Sequence, residues 1–171
     1  MRVGIITISD RASAGARQDL SGPALRDLIQ TQGWEVIRLS VIPDNMQQIK
    51  DLLAAWADSG EFDILLTTGG TGFSPRDVTP EATAEIIQRD APGLAEAMRA
   101  ESLKITPHAM MSRARAGIRG STLIVNLPGS PKAAVENFKV ILPIAQHAVQ
   151  LLSNDPDAED GHRFDNTPRT R

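Results

Sequence analysis

The sequence predicts an α/β fold with three layers, a mostly parallel central sheet flanked by helices. Two observations carry that prediction. Short β-branched, apolar runs at residues 3–8, 35–42, 62–67 and 122–127 alternate with segments whose apolar residues recur at helical spacing. Strands that alternate with helices imply a parallel sheet with helices on both faces. A chain of 171 residues, 41% hydrophobic and 23% charged, is also long enough for one full core. No internal repeat or inner boundary is visible, so residues 1–152 read as a single domain.

The elements follow in order. Residues 3–8 form a strand that ends in the small polar loop Ser9-Asp10-Arg11-Ala12-Ser13-Ala14-Gly15. Ser21 is placed to cap a helix carrying Leu25, Leu28 and Ile29, with Gly33 as its stop. The strand at 35–42 closes on Pro43-Asp44-Asn45. Ile49, Leu52, Leu53 and Trp56 then make the core stripe of the next helix. The strand at 62–67 runs into Gly69, Gly70 and Gly72, and Thr79-Pro80 reads as the N-cap and first position of a helix over 80–89. A helix at 94–103 packs through Leu94 and Met98. Residues 106–120 have no clear period, apart from an edge strand expected at Ile118. The strand at 122–127 passes through Pro128-Gly129-Ser130-Pro131-Lys132 into a long helix with Val135, Phe138, Leu142, Ala145, Val149 and Leu152 inward, kinked at Pro143. From residue 153 the sequence turns polar and reads as a disordered tail, Phe164 being its one large apolar residue.

Composition removes several classes of function. A net charge of −3 does not suit duplex-DNA binding, which needs a basic face. No apolar run approaches the roughly 20 residues that span a bilayer. The N-terminus enters an apolar run without the features of a signal peptide, so a cytoplasmic protein is expected. With no cysteine there is no disulfide, thiolate nucleophile or Cys-based zinc site. Neither a dinucleotide fingerprint after the first strand nor a Gly-Lys-Ser/Thr P-loop is present.

Ligands of open α/β sheets bind beyond the carboxyl ends of the strands. Four loops meet that rule: 9–15, 43–44, 68–79 and 128–132. Two of them repeat one design, a strand, a Gly-containing turn, then Thr/Ser-Pro opening a helix, which leaves N–H groups free for an anion. Asp44 and Asp77 both lie just past strand ends. Two carboxylates on one rim could hold Mg²⁺ as phosphoryl and nucleotidyl transfer requires. Equally, Asp44 could simply open a turn and Asp77 could pair with Arg76. Asp10 and Arg11 carry the same double reading, as a phosphate-side pair or a solvated turn. His108 could line a pocket, but no Ser-His-Asp arrangement is in view, which disfavours covalent catalysis.

Longer motifs identify a family. Thr67-Thr68-Gly69-Gly70-Thr71-Gly72 with Pro75-Arg76-Asp77-Val78-Thr79-Pro80-Glu81-Ala82 resembles the signature of molybdenum-cofactor biosynthesis proteins. The likeness continues through Ala91-Pro92-Gly93-Leu94, Glu101-Ser102-Leu103, Ser112-Arg113, Ala116-Gly117-Ile118-Arg119-Gly120 and Asn126-Leu127-Pro128-Gly129-Ser130-Pro131-Lys132. It is similar to the Mog-type molybdopterin adenylyltransferases and the G domains of fusion proteins such as gephyrin. The resemblance implies a trimer that uses Mg²⁺ and ATP to adenylylate molybdopterin and passes the product to the molybdenum-insertion step. By motif, Asp44 and Asp77 are the catalytic, Mg²⁺-holding carboxylates. Gly69, Gly70, Thr71 and Gly72 take the nucleotide side, and Ser102, Ser112, Arg113, Gly129, Ser130 and Lys132 take the pterin and its phosphate. The related MoaB-type group, and a binding carrier without catalysis, are the alternatives. The intact Arg76-Asp77-Val78-Thr79-Pro80 favours the enzyme.

Overall fold

The computed structural model describes residues 1–153. Its centre is a six-stranded sheet in the order β2-β1-β3-β6-β5-β4. The first four strands, β1 (Arg2–Ile8), β2 (Glu35–Ile42), β3 (Ile64–Thr68) and β6 (Thr122–Leu127), are mutually parallel where they pair. The chain turns back between β6 and β5 (Ala116–Arg119), and again between β5 and the two-residue β4 (Arg89–Asp90). β3 and β6 are buried along their whole length, as continuous apolar runs in a two-sided parallel sheet should be.

The helices divide the core into two parts. On one side α2 (Ser21–Thr31), α5 (Pro92–Leu103) and α6 (Pro131–Leu152) pack over Val3, Ile5, Leu66 and Val125 through Leu25, Ile29, Met98 and Phe138. On the other side α3 (Met46–Asp58) and α4 (Thr79–Ile86) cover Ile6, Leu65 and Ile124 through Ile49, Leu53, Trp56 and Ala82. Trp56 stacks on Phe62 with ring centroids 5.0 Å apart. Burying side chains of this size stabilises by roughly 1.5–3 kcal/mol each before the entropy of ordering is subtracted. The apolar stripes foreseen for α2, α3 and α6 all lie in these clusters.

Several local expectations change for identifiable reasons. Ser21 is the first residue of α2 and not its cap; the Asp19 carboxylate accepts from the N–H of Ser21, the N–H of Gly22 and the Ser21 hydroxyl. Thr79 likewise begins α4, and its hydroxyl donates to the Gly69 carbonyl at 2.9 Å. α4 stops at Ile86, because Gln88 and Ala91 turn their N–H groups to the carbonyls of Ile118 and Ala116. That short pairing makes β4 the sheet edge and moves Ile118 one strand inward. The unclear segment contains a 3₁₀ turn, Pro107–Met111, capped by Thr106. α6 runs on both sides of Pro143 as one helix. The tail expected from residue 153 lies, except for Ser153, outside the described residues.

Candidate functional site

The sheet order places β1 between β2 and β3, so the connections leaving β1 and β3 diverge. The crevice at such a switch point is where this architecture binds ligands. A cleft of about 540 Å³ occupies it, lined by the ends of β1 and β3 and by the loop before α6. Beside it lies a smaller, more apolar cavity of about 280 Å³ between α5, the 3₁₀ turn and the start of α6. Gly69 and Gly70 line the first cavity, and Thr71 and Gly72 the second. Gly129 and Ser130 line the first, and Pro128 the second. The glycine loop and the Pro-Gly-Ser-Pro turn thus form the ridge between two adjoining chambers.

The glycines stand where other groups come close, backbone at Gly69 and Gly129 and side chains at Gly70. Gly69 has φ +108° and Gly70 φ +63°, a region that side chains disfavour. A Cβ on Gly69 would run into the carbonyl of Ile8, and one on Gly70 would lie 3.0 Å from Asp44 Oδ1. A Cβ on Gly129 would lie 3.2 Å from the Gly69 Cα.

Asp44 and Asp77 both line the larger cleft. Asp44 Oδ2 accepts the Asp10 N–H at 2.8 Å, and Asp77 Oδ2 accepts the N–H groups of Gly72 and Ser74 at 2.9 and 3.2 Å. Among the described residues, Oδ1 of neither carboxylate takes a hydrogen bond. Burial pushes the Asp44 carboxyl above the usual carboxylate range; the neighbouring charges of Asp10 and Asp77 add to this, while the Asp10 N–H and Arg76 oppose it. Arg76 does not pair with Asp77. It reaches Asp10 through Nε and Nη2 at 3.0 and 2.9 Å.

The donor set suits one kind of metal site. Among the described residues no group of three or more His, Cys, Asp or Glu side chains is arranged to hold an ion. Two carboxylates, each with a free oxygen on one cleft, fit Mg²⁺ that keeps its waters and arrives with phosphates.

The remaining residues singled out in the sequence are distributed unevenly. Ser102 and Ser112 line the smaller cavity, where the Ser102 hydroxyl accepts from Asn137 at 2.9 Å. His108 lines it as well. Arg113 is committed to structure: its guanidinium donates to the carbonyls of Gly72 and Asp77 and pairs with Glu81. Lys132 lines neither cavity, is 81% exposed at its side chain and stands 3.8 Å from Glu136. Ser130 precedes α6 without a side-chain cap bond. Sequence reading did not assign Asp19, which also accepts from Thr7 on the cleft wall, or Asn126, which is buried with its amide donating to Thr67 and Thr83. An unpaired-looking Asn inside an apolar strand was the available signal for the second.

The profile of the family described as a probable molybdopterin binding domain matches residues 4–147. The molybdopterin adenylyltransferase of Helicobacter pylori J99 is 38% identical over 89% of this chain and 88% of its own length. Gephyrin of Dictyostelium discoideum is 43% identical over 94% of this chain, which spans only 24% of that longer protein. The crystal structure of the molybdopterin biosynthesis enzyme MoaB from Thermus thermophilus superposes with a TM-score of 0.85 at 48% identity, covering 91% of this chain and 98% of that one. The ridge of glycines, the two carboxylates and the parallel sheet thus lie in a chain that belongs to the molybdopterin-binding Mog/MoaB family of molybdenum-cofactor biosynthesis.

Proposed function

We propose that this chain is a molybdopterin adenylyltransferase, transferring AMP from ATP to the terminal phosphate of molybdopterin with release of pyrophosphate. The observation that carries the reading is the pair Asp44 and Asp77, each with a free oxygen, on one cleft beside a second, more apolar chamber. A phosphate oxygen of molybdopterin attacks the α-phosphorus of ATP, and the bond from that phosphorus to the β-bridging oxygen breaks. The nucleophile is already ionised, so positioning and charge neutralisation matter more than a protein base. Asp44 and Asp77 would hold Mg²⁺, which when bound neutralises phosphate charge. Gly69 and Gly70 let the backbone approach the nucleotide, and the N-terminus of α6 at Gly129 and Ser130 offers N–H groups to a phosphate. Ser102 and Ser112 are the hydroxyls available to the pterin in the second chamber. Homotrimer formation and hand-over to a molybdenum-insertion protein belong to the same reading.

A solved MoaB superposes on this chain, so the second reading is a MoaB-type member or a molybdopterin-binding carrier without this transfer. One measurement separates them. An adenylyltransferase releases pyrophosphate from ATP and Mg²⁺ only when molybdopterin is added; a binding module releases none.

A further inference from the structure

Asp10 opens the single-turn α1 (Asp10–Ser13), which follows β1 at the cleft. Its backbone N–H donates to Asp44 Oδ2 at 2.8 Å, and its own Oδ1 accepts the Asp44 N–H at 3.0 Å. The same carboxylate receives the guanidinium of Arg76 side-on, Nε to Oδ2 at 3.0 Å and Nη2 to Oδ1 at 2.9 Å. Arg76 immediately precedes Asp77, whose Oδ2 is already fixed by Gly72 and Ser74. The bonds therefore run without a gap from the Asp44 backbone through Asp10 to the residue beside Asp77. Three loops from three different strands meet in this one side chain.

We infer that Asp10 is a positioning residue, a strut that holds the two candidate carboxylates in a fixed relation across the cleft. Both of its oxygens already accept from protein donors, and the role assigned to it is to act through Asp44 and Arg76. The Arg76 and Asp10 side chains are 64% and 43% exposed, and an ion pair so open to water adds little to global stability. Its effect is local: it pins the exposed tip of the loop at 72–77, which otherwise hangs from its base at Arg113. The inference rests on the adenylyltransferase reading for the reaction it serves, while the strut itself is testable without it.

The test compares the full chain with Asp10→Ala and Arg76→Ala by amide hydrogen exchange in the absence of ligand. Asp10→Ala should speed exchange in both the 43–45 and 72–78 loops. Arg76→Ala should speed it at 72–78 alone, because the reciprocal bonds between Asp10 and Asp44 remain. Melting temperatures should stay close to the parent in each case. In molybdopterin-dependent pyrophosphate release, each variant should lose about tenfold or more in kcat, with little change in the KM for ATP, as misplaced reacting groups do. Unchanged exchange at 72–78 in Asp10→Ala overturns the strut. Faster exchange with unchanged kcat overturns its positioning role. A parent chain that releases no pyrophosphate sinks the adenylyltransferase reading instead, and leaves the exchange pattern to decide the strut.

Discussion

Two turns in this fold share a plan, strand to glycine to Thr/Ser-Pro helix start, yet their donors are used differently. In the turn from β3 to α4 the backbone is folded onto its own aspartate. The N–H groups of Gly72 and Ser74 are given to Asp77, the Thr79 hydroxyl to Gly69, and the base is held by Arg113. In the turn from β6 to α6 the Pro128 carbonyl takes the Thr68 hydroxyl at 2.7 Å, but among the described residues no carboxylate accepts the N–H groups of Gly129 or Ser130. Ser130 makes no side-chain cap bond, and a helix of 22 residues opens onto the cleft with its N-terminal donors uncovered. The first turn spends its donors on a carboxylate; in the proposed reading the second keeps them for an anion. An aspartate in a glycine loop is therefore no flaw in an anion site. On the proposed adenylyltransferase reading the two turns divide the work, one presenting oxygen for a cation and the other N–H for a phosphate.

The sharpest way to break that division is Asp77→Ala. It removes the oxygen the first turn is built to present, and turnover should fall by at least about 10²–10³, the scale of losing one main electrostatic contact. Molybdopterin affinity, measured by calorimetry, should stay near the parent value because Asp77 lines the first chamber and not the second. Full turnover would mean that the first turn carries no chemistry.

Arg113→Ala attacks the same turn from below. The guanidinium holds two loop carbonyls and Glu81, and its loss should lower stability in urea unfolding by on the order of 1–3 kcal/mol. Turnover should fall with it, as the Asp77 backbone loses its anchor. If stability is unchanged and only molybdopterin binding weakens, Arg113 grips ligand, as the family motif alone suggests.

That contrast marks how far the sequence is legible. Periodicity and β-branched runs are local, so the four main strands and the stripes of α2, α3 and α6 can be read directly. The Gly-Gly-Thr-Gly motif and its Arg-Asp neighbour also announce a loop past a strand end. What cannot be read is the partner of each charge. Arg76 stands next to Asp77 in sequence but meets Asp10, 66 residues away, and Arg113 closes on Glu81 and the Gly72 carbonyl across the fold. A guanidinium at the end of a long side chain reaches whatever the topology brings near, and no local pattern encodes that. β4 escaped for a similar reason: two residues, Arg89 and Asp90, are a strand only because Gly117 and Ile118 lie beside them.

Asp44 sits against the braced turn, and its carboxyl is raised by burial and by two neighbouring carboxylates. A carboxyl raised in the folded state binds more protons there than in the unfolded chain, so its contribution to stability falls as pH rises through the window above about 3.9. Asp44→Asn, with metal chelated, should therefore melt a few degrees higher than the parent at neutral pH. The difference should vanish on acidification below that value, where both forms are neutral. A variant that melts lower at neutral pH would show that the charge of Asp44 is needed to hold the cleft together.

Lys132→Ala tests the open turn and carries the smallest expected effect. Its side chain is 81% exposed and only loosely beside Glu136. A cation so placed acts on an anionic ligand through water, worth up to about 1 kcal/mol and screened by salt. Titration with molybdopterin should give a loss of about fivefold or less, fading at high ionic strength. A much larger loss that persists in salt would mean that Lys132 folds over the cleft when the phosphate binds. The second turn would then supply a side-chain charge as well as backbone N–H groups, and its contrast with the braced turn would rest on mobility and not on donor type.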